Sequence, residues 1–152
     1  MAITSTEARQ QILDQLGGAI DQLALAVACL GEAHEQLDTA SADRLEADLF
    51  RPVQRAYAQA RRTHSAFARR STLDGREFSS PSAGLASQGV KVFVERAVAT
   101  AADADRKIAE LQDSLLPVEA GDPELRAGLG ETRSLLDPLE GAGRNFLRVL
   151  GR

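Results

Sequence analysis

The 152-residue chain has a net charge of −4 and is 43% hydrophobic and 26% charged, a composition typical of one globular domain with its own core. The negative charge argues against general affinity for nucleic acid, and the single cysteine, Cys29, excludes an intrachain disulfide and a multi-cysteine metal site. No uninterrupted apolar run reaches the roughly 18 residues of a membrane span and no signal peptide is visible, so the sequence predicts a soluble, cytoplasmic protein.

The first helical segment is defined by apolar side chains that recur at alternating steps of three and four, which keeps them on one helix face. We expect this helix to begin at Ser5, with Glu7 in its first turn, and to end at residues 38–41. The spacing places Cys29 outside this face and predicts that its thiol is partly exposed. The face comprises Leu13, Leu16, Ile20, Leu23, Val27, Leu30, His34 and Leu37, widened by Ile12, Ala19, Ala26 and Ala33.

The second segment begins at a predicted cap, Ser41, and runs to a loop at residues 72–82 that is rich in Gly, Ser and Pro. Pro52 lies inside this segment and should bend or interrupt the helix, because proline lacks the backbone donor and clashes with the preceding turn. The apolar face comprises Leu45, Leu49, Val53, Ala56, Ala60, Thr63 and Phe67.

The third and fourth segments repeat the same periodicity. Pro117 and residues 120–123 mark the end of the third helix, and Asp122 is expected to cap the fourth with Pro123 at its first position. Pro138 predicts a kink within the fourth helix. The two faces comprise Val90, Val94, Ala97, Ala101, Ala104, Ile108, Leu111, Leu115 and Val118, and then Leu125, Leu129, Thr132, Leu136, Leu139, Gly143, Phe146 and Leu150.

These four faces predict an all-α fold, an antiparallel up-down-up-down four-helix bundle of long helices. The predicted domain spans 1–152 and consists of a helical hairpin at 5–71, the loop at 72–82 and a second hairpin at 83–151. A homodimer, in which the hairpins open and pair with a second copy, stays open as an alternative. A faint similarity between 41–49 and 121–129 also leaves open a duplicated hairpin.

The two histidines are weak candidates for chemistry. His34 lies in the apolar face of the first segment, and a hydrogen bond to Glu46 on the next helix is the simplest account of it. A dimetal site needs Glu-x-x-His pairs, which the chain lacks, so we predict no metal and no cofactor. Tyr57 and His64 could line a small pocket, although a structural histidine is the more common outcome.

Charge is distributed unevenly over the first hairpin. Residues 1–50 hold nine acidic residues against two arginines, whereas residues 51–80 hold seven arginines against two acidic residues. On a helical projection Arg44 and four further arginines fall in one band opposite the apolar face. We call those four the arginine ridge, and they are Arg51, Arg55, Arg62 and Arg69.

The arginine ridge predicts a docking surface for an acidic protein partner, because guanidinium groups make planar, bidentate contacts with carboxylates. The alternative is a solvated face neutralised by a row of acids on the first helix, Glu7, Asp14 and Asp21. Nucleic acid is an unlikely ligand, since aromatic side chains that could stack on bases make up only 4% of the chain.

No phosphate-binding loop, nucleophile elbow or catalytic carboxylate pair is present, so we expect a non-enzymatic interaction or adaptor protein. One alternative is a small-molecule-binding bundle, whose pocket would form near Tyr57 or Pro138 where alanines leave room. Those alanines are Ala56, Ala60, Ala97 and Ala101. A metal-dependent enzyme using His34 or His64 is a second alternative. The preference for arginine over lysine is typical of high-GC bacterial genomes.

Overall fold

The computed structural model describes residues 4–151, which contain helices and turns but no strand, so the all-α prediction is confirmed. A π turn over Glu46–Phe50 joins α2 to α3, and a 3-10 turn over Ala86–Gln88 precedes α4. The helices are α1 (Ser5–Glu35), α2 (Thr39–Leu45), α3 (Arg51–Arg70), α4 (Val90–Asp113), α5 (Leu116–Glu119), α6 (Pro123–Leu136) and α7 (Leu139–Leu150).

The helices pack around one apolar core, with α1 along α4, α3 along α6, and α1 also against α3. Arg9, near the start of α1, donates to the carbonyl of Ala120 at 3.3 Å. Arg70, at the end of α3, binds Asp122 at the start of α6. The start of α1, the end of α3 and the start of α6 therefore lie at the same end of the molecule.

The start of α4 lies at the opposite end. Gln36, just after α1, donates to the carbonyl of Ala86 at 2.9 Å, four residues before α4 begins. Helix α4 consequently runs antiparallel to α1 and in the same direction as α3. The predicted up-down-up-down order is not confirmed, because these contacts give the order up, down, down, up.

Residues 71–89 connect the end of α3 to the start of α4 at the opposite end of the molecule, and we call them the crossover segment. Arg76 binds Asp21 near the middle of α1, and Ala83 accepts a hydrogen bond of 2.7 Å from Arg96 in α4. The chain therefore returns along the helices before α4 starts. Its 19 residues, when extended, are long enough to span the length of the 20-residue helix α3, about 30 Å. The predicted loop at 72–82 was too short, and the second hairpin does not begin as a helix at residue 83.

Polar caps fix three of the helix starts. Thr4 accepts from the amide of Glu7, whose carboxylate accepts from the amide of Thr4, so α1 opens with a capping box. Asp38, rather than the predicted Ser41, caps α2 by accepting from the Ser41 amide at 2.9 Å. The prediction that Asp122 caps α6 is confirmed, since its carboxylate accepts from the amide of Leu125 at 2.8 Å.

Both interior prolines disturb their helices, in different ways. Before Pro52 the helix widens into the π turn, with the Arg51 amide bonded to the carbonyl of Glu46, and α3 then continues. The wider turn accommodates a proline that has no N–H for the ladder. Pro138 instead lies between the end of α6 and the start of α7, so the helix is interrupted at the position where a kink was predicted. Helix α4 ends at Asp113, before the end predicted from Pro117 and residues 120–123, and Leu115 just beyond it has a positive φ of 68°.

The core follows the predicted faces closely in α3, α4 and α6. In α1 the flanking positions Ile12, Ala19, Ala26 and Ala33 are fully buried as predicted, whereas Val27 and His34 of the central stripe are only partly buried, as is Leu37 just beyond the helix. The prediction for Cys29 was wrong, because its side chain is fully buried. Helix α1 is flanked by both α3 and α4, so the arc that it buries is wider than one stripe.

Within residues 4–151, α1 is the one helix whose length and composition would allow it to cross a membrane. Its most apolar 18-residue stretch has a mean hydropathy of 1.3. In this fold 56% of that stretch is buried inside the protein. A buried core helix has the same length and composition, so these two properties do not distinguish a membrane span from a core helix.

Candidate functional site

The arginine ridge lies on the outer face of α3, and all four of its side chains are exposed. Opposite it, Val53, Ala56 and Ala60 are completely buried, so the helix is sharply divided into an apolar and a cationic side. The sequence predicted this division correctly, because α3 keeps its helical register after the π turn. The ridge therefore presents guanidinium groups to solvent along α3.

Few acids compete for these arginines inside the molecule. Arg51 approaches Glu46 at 4.0 Å, and Arg62 donates to the amide oxygen of Gln59 at 2.8 Å. Among the residues that the structure describes, Arg55 and Arg69 form no ion pair. Because the Gln59 amide is uncharged, three of the four ridge arginines, Arg55, Arg62 and Arg69, are without an internal counter-charge in the described residues.

The row of acids expected to neutralise the ridge is engaged elsewhere. Glu7 takes part in the capping box of α1, and Asp14 accepts a hydrogen bond of 2.9 Å from Gln10. Asp21 forms a bidentate ion pair with Arg76 of the crossover segment. The proposed internal neutralisation therefore finds no support in these contacts.

Arg61 extends the cationic surface, although it lies outside the arginine band that the helical projection predicts. Its guanidinium carbon lies 4.2 Å from the centre of the Tyr57 ring, a distance that suits a cation–π contact. A shallow depression with an alanine floor lies between the guanidinium groups. It is lined by Ala58, Arg61, Arg62, Ser65, Ala66 and Arg69.

The two arginines at the ends of this surface are held by internal contacts. Arg44 donates to the Ser41 hydroxyl at 3.2 Å and lies over the ring of Phe146. Arg70 makes two hydrogen bonds to Asp122, which together raise its pKa. These two side chains are therefore structural, and the accessible cationic surface runs from Arg51 to Arg69.

The second candidate feature surrounds His64, a residue that is only 3% exposed. Its ring meets the Phe78 ring edge to face, with centroids 5.2 Å apart. A cavity of about 490 Å³ opens beside it, between α1, α3 and the crossover segment. The lining comprises Gln10, Leu13, Asp14, Gly17, His64, Asp74, Gly75 and Arg76.

The electrostatics of this cavity favour a neutral His64. Burial lowers the pKa of His64 and the positive charge of Arg76 lowers it further, while the backbone of Leu13 and the charge of Asp14 act in the opposite direction. Within the described part of the chain, His64 Nδ1 is the one buried side-chain nitrogen or oxygen without a hydrogen-bond partner. A ligand in the cavity would therefore meet a neutral imidazole.

Tyr57 and His64 do not share a pocket as the sequence suggested, because Tyr57 is not among the residues that line this cavity. The four alanines expected to leave room are buried in the core. Near Pro138 there is a crevice of about 140 Å³, which includes Ala101 in its wall, and an open groove of about 500 Å³ adjoins it at Val98, Ala102 and Glu140. Phe78 and Arg76 were not identifiable from the sequence, because they lie in an aperiodic segment without any recognisable motif.

His34 and Cys29 are two further side chains with potentially reactive groups. His34 is half-buried with its ring 6.0 Å from that of Phe50, and the expected hydrogen bond to Glu46 is not formed. Burial raises the pKa of the Cys29 thiol, although Arg96 partly offsets this effect. Residues 4–151 contain no group of three His, Cys, Asp or Glu side chains arranged to hold a metal ion.

Comparison with protein-family models, with curated proteins and with solved structures gives no match for this chain.

Proposed function

We propose that this protein is a non-enzymatic interaction module that binds an acidic protein segment along the arginine ridge. The observation that carries the proposal is the pair Arg55 and Arg69, exposed and without an internal ion pair in the described residues. Four exposed guanidinium groups on one helix repel one another, and an acidic partner would remove that repulsion.

The spacing of the ridge supports a partner that runs alongside α3. Arg55, Arg62 and Arg69 are seven residues apart, so their side chains leave α3 in nearly the same direction at intervals of about 10.5 Å. An acidic helix with carboxylates at the same interval could pair with all three. The alanines at 58 and 66 would let its backbone approach closely.

The scaffold in this proposal is a four-helix bundle in which α6 and α7 together form the fourth arm. Its rigidity would keep the guanidinium groups in register, which lowers the entropy cost of binding. A second copy of the chain is a weaker candidate for the partner, because the acids of α1 with matching spacing already have internal contacts.

The experiment measures the binding of a labelled helical peptide with glutamates at every seventh position, by fluorescence anisotropy. The triple variant Arg55→Glu, Arg62→Glu, Arg69→Glu should abolish binding, whereas Lys at the same positions should weaken it by losing the bidentate geometry. The matched control replaces Arg106, Arg144 and Arg148, which lie on α4 and α7, by glutamate. Equal loss with the control, or no binding by the natural protein, would contradict the proposal.

A further inference from the structure

The open groove between α4 and α7 offers apolar surface to a partner. Its volume is about 500 Å³, and the half-buried side chains of Val98 and Leu147 line it. Gly143 belongs to the lining without a side chain, and a Cβ atom there would collide with Val98, so α7 and α4 are in close contact along the groove. Apolar surface rimmed by charged residues favours an interaction site.

The exposed side of α4 along this groove carries charges in an order that is complementary to itself. Along the helix the order is basic, acidic, alanine, alanine, basic, acidic, at steps of three and four residues that keep the six side chains on one side. All six residues are exposed, and the middle four line the groove. We call them the α4 face, and they are Lys91, Glu95, Ala99, Ala102, Arg106 and Glu110.

Two copies of the α4 face bring opposite charges together when they lie antiparallel, with a two-fold axis between Ala99 and Ala102. Each residue then lies opposite the residue at the same distance beyond the axis on the second copy. The charged pairs are Glu95 with Arg106 and Lys91 with Glu110, and the symmetry forms each pair twice. A parallel alignment would instead place each charged residue opposite the same residue of the second copy. The order of the charges thus selects the antiparallel arrangement.

At the centre of this arrangement the small side chains of Ala99 and Ala102 allow the two helix backbones to approach closely. From the charge order and the groove we infer that the protein forms a two-fold symmetric dimer in which the α4 faces of two copies pack antiparallel. The helices of each copy stay closed, unlike in a dimer whose hairpins open. The dimer uses α4 and not α3, so this inference is independent of the arginine ridge.

Within one copy the charges of the α4 face have only weak competitors. Lys91 lies 3.8 Å from Glu95, and Arg106 lies 2.8 Å from Asp103, both on the exposed surface of the same helix. Exposed ion pairs of this kind contribute little to stability, so they can be shared with or exchanged for pairs across the interface. Glu110 forms no ion pair within residues 4–151.

The experiment measures the self-association of the full-length protein by sedimentation equilibrium. The natural protein should form dimers with a Kd of about 1–100 µM, because an interface made mainly by one helix from each copy is small. Glu95→Arg places a cation opposite Arg106 of the second copy, and Arg106→Glu places an anion opposite its Glu95. Each variant changes an exposed residue, so it should keep its helicity by circular dichroism while its Kd rises by about tenfold or more.

Mixing the two variants tests the register directly. An equimolar mixture of Glu95→Arg and Arg106→Glu should form heterodimers, because every cation at these positions then meets an anion. The double variant that carries both substitutions should also recover the dimer, since the charges have exchanged places. Glu131→Arg changes an exposed acid of α6 by the same charge and serves as the matched control, with the Kd of the natural protein.

Three results would each overturn the inference. The first is a natural protein that stays monomeric up to about 500 µM, well above the expected Kd. The second is a Glu95→Arg variant that dimerises as tightly as the natural protein, which would place any self-association on another surface. The third is a mixture of the two single variants that remains monomeric, which would exclude the antiparallel register.

Discussion

Arg76 binds Asp21 through both of its terminal nitrogens, at 2.8 and 3.0 Å, and thereby fastens the crossover segment to α1. The same guanidinium lies 4.5 Å from the centre of the Phe78 ring. Phe78 in turn packs on His64. One arginine thus connects α1, the crossover segment and the wall of the cavity.

Breaking this ion pair should loosen the crossover segment with little effect on global stability. In Asp21→Asn, we expect faster cleavage by chymotrypsin after Phe78, because that ring is held against His64 only while the segment is docked. Both partners are half exposed, so the free energy of unfolding should fall by no more than about 1 kcal/mol.

The matched control for this measurement is Asp103→Asn, which breaks the exposed Arg106 ion pair on α4. It should leave the cleavage rate after Phe78 unchanged. If Asp21→Asn and Asp103→Asn are cleaved equally fast, the ion pair does not hold the crossover segment.

At Gly128, helix α6 lies in close contact with Thr63 of α3. A Cβ atom at this position would collide with the side chain of Thr63, whose hydroxyl is already bonded to the carbonyl of Gln59 at 2.9 Å. Gly128→Ala should therefore lower the free energy of unfolding by about 1–3 kcal/mol in urea denaturation, since overpacking forces the helices apart.

Gly130 provides the control two residues along the same helix, because a Cβ there would meet nothing within 4 Å. Gly130→Ala should stabilise the protein by about 0.5–1 kcal/mol through helix propensity. Adding Thr63→Ala to Gly128→Ala should recover part of the loss, as a double-mutant cycle would show. Equal effects of the two glycine substitutions would refute the close contact.

The buried faces of the helices could be predicted because each apolar stripe shows which side of a helix avoids water. The buried positions Leu45, Val53 and Ile108 follow from spacing alone. The direction of α4 could not be predicted, since the same stripes are buried whether α4 runs up or down. That choice depends on the path of the crossover segment, which has no periodicity.

The candidate sites were predictable to different degrees. The exposure of Arg55 and Arg62 follows from helical geometry, as does the burial of Ala56. The environment of His64 depends on Phe78 and Arg76, which reach it only through the fold. Cys29 was misassigned because a single stripe does not account for a helix with neighbours on two sides.

Asp122 combines two stabilising contacts, since it caps α6 and binds Arg70 at 2.7 and 2.9 Å. The hydrogen bond from Arg70 is the main reason that the pKa of Asp122 is lowered. Asp122→Asn keeps the cap and loses the ion pair, whereas Asp122→Ala loses both. The alanine variant should be about 1 kcal/mol less stable than the asparagine variant in urea denaturation.

The lowered pKa of Asp122 also gives a pH dependence. Its stabilising contribution is present above the unfolded-state pKa of about 3.9 and is lost as the pH falls through the lower pKa of the folded protein. Asp122→Asn should therefore be less stable than the natural protein at neutral pH, with the difference shrinking in acid. A difference that is constant from neutral to acid pH would contradict the assignment.

His64 gives a second pH dependence of the same sign, in a higher pH range. Burial lowers its pKa in the folded protein, so below the unfolded-state value of about 6.5 the unfolded chain takes up a proton more readily than the folded one. Stability should therefore be highest above this pH and should decrease as the pH falls from about 6.5 to the lower folded-state pKa. Urea denaturation over this interval would measure the slope, and His64→Gln should reduce it.

Two further measurements keep the His64 prediction independent of how well that variant folds. The variant His34→Gln retains His64 and should retain the slope that His64 contributes. NMR titration of the His64 ring protons in the natural protein should give a midpoint below 6.5, in the direction that burial dictates. A midpoint at or above 6.5 would contradict the lowered pKa of His64 in the folded protein and the stability slope derived from it.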